Sequence, residues 1–250
     1  MSKKTELSLN EETQNMRNDI VAIICPDIHG RNFWKKAAEE YNGSVPFIFL
    51  GDYLDPYKDE GITDSDAKNN FNEIWEFKQK WGDNVIMLLG NHDMSYYSNR
   101  FRCCRFSIEN SEWYGDFIRN NFEHFKFVHS IKNNDTEYLL SHAGINQFWL
   151  QEYNMEEIYN ADYINSLFIT NPASFETYSF FRGGDDVAGS PIWADIREYN
   201  GIRGKFMPDN VQQIVGHTQL NIDMLEYHGV TCIDSRQVFV ITNGNKIEKY

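Results

Sequence analysis

Five short apolar runs, each stopped abruptly by a polar cluster, constrain this chain more than any other feature. The first, Ile20–Cys25, is continuous and mostly β-branched, and it stops at Pro26. Residues 45–50 stop at Gly51-Asp52-Tyr53-Leu54-Asp55, and residues 85–89 stop at Gly90-Asn91-His92-Asp93. Residues 137–140 feed Ser141-His142-Ala143-Gly144, and Val211–Val215 feed Gly216-His217-Thr218. Runs this short without polar alternation read as strands buried on both faces, as in sheets covered by helices. Helical segments expected over 33–41 and 67–81 separate the first three, which predicts βαβ units. In such folds ligands collect beyond the carboxyl ends of the strands. Here each of those ends carries polar, chemistry-bearing side chains.

The tail, residues 230–234, 237–242 and 246–250 separated by turns such as Asn243-Gly244-Asn245, reads as closing antiparallel strands that complete a second sheet. The fold expected is α/β, a two-sheet β-sandwich flanked by helices. The polar segment 1–19 is expected to be flexible, ahead of one domain over 20–250. Stretches near 94–135 and 145–210 are long, aromatic and irregular, and they read as insertions over the site, where substrate selection usually resides.

Composition narrows the function classes. A formal charge of -14 over 250 residues argues against general nucleic-acid binding, which depends on basic side chains that neutralise backbone phosphates. It suits the holding of divalent cations. Cys25, Cys103, Cys104 and Cys232 show no CxxC spacing and read as reduced thiols. The first apolar run is too short for a signal core or a membrane span, so a cytoplasmic protein is expected.

Taken singly, each polar residue has an ordinary reading. Asp27-Ile28-His29 suits a turn with a capping aspartate, Asn91 a helix cap, His142 and His217 core histidines, and Asp52 with Asp55 a solvated turn. Together they are the carboxylate, imidazole and amide oxygens that hard or borderline divalent metals prefer, all delivered to strand ends. The ordered blocks PDIHG, GDYLDP, GNHD, SHAG and GHT over roughly residues 20–220 resemble the signature of the calcineurin-like metallophosphoesterase superfamily. Among its members the blocks lean toward the phosphoprotein phosphatase and dinucleoside tetraphosphatase branch.

The resemblance implies two divalent metal ions, manganese first with iron or zinc as alternatives. Asp27 and His29 would bind one ion, Asp52 would bridge, and Asn91, His142 and His217 would bind the other. It also implies that His92 protonates the leaving oxygen or stabilises the phosphate, with Asp55 as its partner. A carboxylate bonded to an imidazole fixes its tautomer and raises its pKa. The implied reaction is hydrolysis of a phosphate ester by metal-activated water. A phosphorylated protein or small molecule ranks first as substrate, and a diester or dinucleoside polyphosphate second. A non-catalytic metal-binding scaffold is the rival from another class, and the intact set of ligand types speaks against it.

One departure stands out. The branch commonly reads GDxxDRG, whereas this chain has Pro56 in place of the arginine, and a phosphate clamp is thereby missing. Arg31, Arg182, Arg197 and Arg203 are the replacements considered. Arg100, Arg102 and Arg105 form the densest basic cluster, interleaved with Phe101 and Phe106, and read more readily as a solvated helix face. Trp193, in a segment loosely similar to one of that branch, reads as core or cleft wall.

Overall fold

The first apolar run lacks polar alternation because both of its faces are dry. In the computed structural model, which describes residues 19–98, 100–155, 159–200 and 207–250, it forms strand β1 (Ile20–Cys25). Successive side chains of a strand point to opposite faces. Ala22 and Ile24 enter one apolar layer, while Ile23 and Cys25 enter another. The same division holds for β2 (Phe47–Phe49) and β3 (Val85–Leu88): Ile48, Ile86 and Leu88 lie with Ala22, and Phe47, Phe49, Val85 and Met87 lie on the other side.

Strands β1, β2 and β3 pair in parallel, and helices α1 (Lys35–Glu39) and α2 (Asp64–Trp81) make the crossovers. Helix α2 starts in a capping box between Thr63 and Asp66 and buries Ala67, Phe71 and Ile74, a spacing that keeps one stripe on the sheet. Helices α3 (Asn91–Ser98) and α4 (Ile108–Asn120) follow, and β4 (Phe125–Lys126) pairs in parallel with β3. A hairpin of β5 (Val128–Asn133) and β6 (Thr136–Ser141) opens a second sheet. After α5 (Gln147–Glu152) and α6 (Ala161–Thr170), β7 (Val211–Val215) pairs in parallel with β6, and β8 (Leu225–Tyr227) and β9 (Val230–Cys232) finish that sheet. Strands β10 (Phe239–Thr242) and β11 (Ile247–Lys249) close the chain.

The sheets run β11-β10-β1-β2-β3-β4 and β5-β6-β7-β9-β8 among the described residues. Ile131, Tyr138, Leu140 and Ile214 of the second meet Ala22, Ile24 and Ile48 of the first. This is the two-sheet sandwich with flanking helices that the sequence predicts. Burial of that layer is the main favourable term, at about 25 cal/mol per Å² of apolar surface.

Two expectations change. The tail is shared between the sheets, because β10 lies antiparallel against β1 and returns the chain to the first sheet. The stretch after the GNHD block is also largely regular. Helix α4 is hard to see in sequence because Gly115 interrupts it. A Cβ there would come within 2.6 Å of the Tyr96 carbonyl, so the glycine permits close contact of α3 and α4. Strand β5 mixes buried, half-buried and exposed residues and has one partner, as edge strands do. The segment 1–18 and Arg203 lie outside the described residues. No helix among the described residues is long and apolar enough to cross a membrane.

On β5, burial, with Lys126 adding, lowers the His129 pKa to about 4, against the opposing pull of Asp162. A histidine depressed below its ordinary value of about 6.5 is neutral when folded and takes up protons on unfolding. Its contribution is therefore complete above that value and is lost as pH falls toward 4. Urea unfolding at pH 7.5 and pH 5 should show the wild type losing more stability on acidification than His129→Gln. Equal losses would contradict this assignment.

Candidate metal centre

The carboxyl ends of β1, β2, β3, β6 and β7 meet at one place, and each brings the polar cluster that ended its apolar run. The first two loops lie side by side: Ile28 N donates to Gly51 O at 3.3 Å, His29 N to Asp52 O at 2.7 Å and Gly30 N to Tyr53 O at 3.0 Å. His29, Asp52, Asp55 and His217 all hold positive φ angles, between 44° and 62°. Non-glycine residues rarely adopt this conformation, and such strain concentrates at functional sites.

The buried Asp93 carboxylate holds the loops in place. Its Oδ2 accepts from Asp52 N at 2.7 Å and Gly90 N at 2.8 Å, and its Oδ1 from Tyr53 N at 3.1 Å and Tyr114 OH at 2.9 Å. Glycines then allow the approach of carboxylates. A Cβ on Gly90 would overlap Asp52 Oδ1, and one on Gly216 would overlap Asp27 Oδ1.

The result is a convergence of lone pairs. His29 Nδ1 lies 2.7 Å from Leu54 O, and His142 Nδ1 lies 3.0 Å from Leu50 O. A carbonyl oxygen only accepts, so both Nδ1 atoms carry the proton and both Nε2 atoms present lone pairs. Burial lowers the pKa of His29 and His142, which keeps the rings neutral. Asp52 Oδ2 lies 3.6 Å from His29 Nε2 and 3.5 Å from His142 Nε2, while Asp52 Oδ1 accepts from His92 N. His142 Nε2 also faces Asn91 Oδ1 at 2.9 Å and His217 Nδ1 at 3.0 Å, and His217 Nε2 is buried without a hydrogen-bond partner among the described residues. Asp27 Oδ2 lies 3.9 Å from His29 Nε2. Acceptors packed this closely repel one another unless a cation lies among them. Two sets, His29-Asp52-His92 and Asp52-His142-His217, each bring ligand atoms within 4.8 Å of one another, with Asp52 common to both; His92 in the first is bonded to Asp55, and Asp27 beside His29 is the carboxylate that can take its place. The donor chemistry therefore fits two divalent ions.

The profile of the calcineurin-like phosphoesterase family matches residues 20–237. The chain belongs to that family. It is a metal-dependent phosphoester hydrolase of a class that uses divalent metal ions. A protein serine/threonine phosphatase from Saccharomyces cerevisiae shares the fold at a TM-score of 0.54 and 17% identity, with 93% of this chain and 80% of that chain covered. The phosphopantetheinyl hydrolase of Mycobacterium tuberculosis aligns at a TM-score of 0.36 and 14% identity, over 86% and 88% of the two chains. No curated protein matches the chain in sequence.

In this phosphoesterase His92 Nδ1 lies 2.6 Å from Asp55 Oδ2, and the other Asp55 oxygen accepts from Tyr96 OH, which itself accepts from Ser107 N at 2.8 Å. Burial opposes the imidazolium, but Asp52 and Asp55 outweigh it and raise the His92 pKa to about 10. Above the ligand residues lies a cleft of about 270 Å³, walled by Tyr57, Arg102, Cys104, Arg105, Arg182 and Trp193.

The arginines considered from sequence separate. Arg182 reaches the cleft. Arg31 is held by Glu60 at 2.7 Å, and Arg197 by Asp195 at 2.7 Å, and neither is among the residues that line the cleft. Arg105 and Arg102, expected on a solvated helix face, lie on a non-helical loop facing the cleft. Tyr96 and the organising role of Asp93 carry no sequence signal beyond their places in and after the GNHD block.

Asp93→Ala removes the acceptor for three buried backbone N–H groups. It should destabilise the protein by ~3 kcal/mol or more in chemical denaturation and weaken manganese binding. A loss below about 1 kcal/mol, an ordinary substitution effect, would contradict the organising role.

Proposed function

We propose that the enzyme is a cytoplasmic phosphomonoesterase acting on a phosphorylated protein residue or small phosphorylated molecule. One domain over 20–250 carries the site, with the segments near 94–135 and 145–210 forming its substrate side. In this reading Asp27 and His29 hold one ion, Asp52 bridges, and Asn91, His142 and His217 hold the other. Manganese is the first choice, and iron and zinc suit the same donors. Bound divalent cations supply charge neutralisation at the phosphoryl group and a water acidic enough to attack near neutral pH.

The observation that carries the reading is the His92–Asp55 pair beside a cleft walled by guanidinium groups. His92 spends Nδ1 on Asp55, which leaves Nε2 for the cleft that the residue lines. The imidazolium is thus oriented to give its proton to the departing oxygen of an ester whose alcohol is a poor leaving group. Asp55, with Tyr96 on its second oxygen, fixes that orientation. Arginines on the wall favour a phosphate of high charge. The free thiols of Cys25, Cys103, Cys104 and Cys232 suit a reducing compartment.

Turnover of alkyl and aryl monoesters, an aryl diester and a dinucleoside polyphosphate with added manganese tests this. The monoesters should have the highest kcat/KM, and a clear diester preference would overturn the assignment. His92→Asn should lower kcat by about 10²- to 10⁴-fold for the alkyl ester, with a smaller loss for the aryl ester, whose leaving group needs less protonation. Equal losses on both would remove His92 from the proton-transfer role.

A further inference from the structure

We propose that Arg105 is the phosphate clamp of this enzyme, supplied from the loop between α3 and α4 onto the site that Pro56 leaves without an arginine. The inference rests on the phosphoester-hydrolase reading and adds the residue that selects a dianionic phosphoryl group.

Charge accounting narrows the choice to Arg102 and Arg105. Arg31, Arg100, Arg119, Arg182, Arg197 and Arg236 each have a carboxylate oxygen at 2.7–3.2 Å. Arg105 has no such partner among the described residues, although the chain carries a net charge of -14. Its charge is nevertheless held in one place. Nε donates to the Asp55 backbone carbonyl at 2.9 Å, Nη1 contacts Cys104 Sγ at 3.2 Å, and the guanidinium lies 3.8 Å from the centroid of the Tyr57 ring. Tyr57 directly follows Pro56, so the guanidinium from the later loop is tied to both neighbours of the proline. Nη2 makes no hydrogen bond among the described residues, and the side chain lines the cleft with Asp27, His29 and His92.

The backbone adds a second sign. Arg105 sits at φ 65°, where glycine or asparagine costs least, and this position keeps a long cation instead. The other cleft arginines are less available. Arg182 shares the buried Asp195 carboxylate with Arg197 and commits Nη2 to His217 O and Thr218 Oγ1, whereas Arg102 is exposed and lies over the Phe106 ring.

A preorganised guanidinium with donors to spare suits a phosphoryl group that keeps a charged oxygen beyond those facing the metals. A monoester dianion has such an oxygen. In a diester the corresponding oxygen is esterified and carries no charge, so the clamp favours monoesters.

The test measures calorimetric binding of inorganic phosphate to the manganese-loaded full chain, together with kcat/KM for an aryl monoester and an aryl diester. Arg105→Ala should weaken phosphate binding and monoester kcat/KM by about 10- to 100-fold. Diester turnover should fall less, so the monoester-to-diester ratio drops. Arg105→Lys should recover part of the loss, and Arg100→Ala, outside the cleft, should match wild type. Unchanged phosphate affinity in Arg105→Ala, equal losses on both esters, or no phosphate binding by wild type would overturn the proposal. If phosphate binding depends on Arg105 but no monoester is turned over, the clamp stands and the monoesterase reading fails. If Arg105→Ala melts below assay temperature, Arg105→Gln, which loses the charge but can still reach the Asp55 carbonyl, is judged by the same criteria.

Discussion

The carboxylate of Asp93 ties the second and third strand-end loops together, and the position of Asp52, the residue shared by both halves of the centre, depends on that. Four donors converge on it, three of them backbone N–H groups at Asp52, Tyr53 and Gly90. Buried N–H groups without an acceptor are costly, so these bonds hold Asp52 in its left-handed conformation despite the local strain. With Asp52 fixed, one of its oxygens accepts from His92 N and the other stands between His29 and His142. Burial raises the Asp93 pKa to about 6, and its four hydrogen bonds offset only part of that penalty.

The sandwich supplies the second half of the geometry. His142 and His217 arrive from a different sheet than Asp27, Asp52 and Asn91, so the centre forms only if the two sheets pack with these strand ends aligned. The apolar layer that includes Ala22, Ile24, Tyr138 and Ile214 sets that alignment, and Gly216 N donating to His142 O at 2.8 Å joins the two loops of the second sheet. Dense packing of this kind resists small shifts, which suits a site whose ligands must keep their spacing.

Sequence and structure agree where local chemistry dictates the outcome. The apolar runs of β1, β2, β3, β6 and β7 were legible because they are buried on both faces, and the polar residues after them were legible because their types and order match a known signature. What was hidden depends on contacts distant in the chain. Strand β5 has a single partner and therefore a mixed pattern, and Gly115 weakens the helical appearance of α4 for the sake of its contact with Tyr96. The tail divides between sheets because β10 finds the free edge of β1, which no local pattern announces. Arg105 read as one member of a basic cluster, since its distinction lies in its contacts with the Asp55 carbonyl and with Tyr57, 48 positions earlier in the chain. Pro56 showed what was missing, and only the folded chain shows what lies beside it.

The central claim is that Asp52 joins two cations in one centre. Electron paramagnetic resonance of the protein loaded with manganese tests it directly, because two Mn(II) ions sharing a bridging ligand are exchange-coupled. The account predicts a coupled multiline spectrum at two manganese ions per chain, and its loss in Asp52→Ala. A spectrum of isolated Mn(II) alone at full loading, or an unchanged coupled signal in Asp52→Ala, would contradict it.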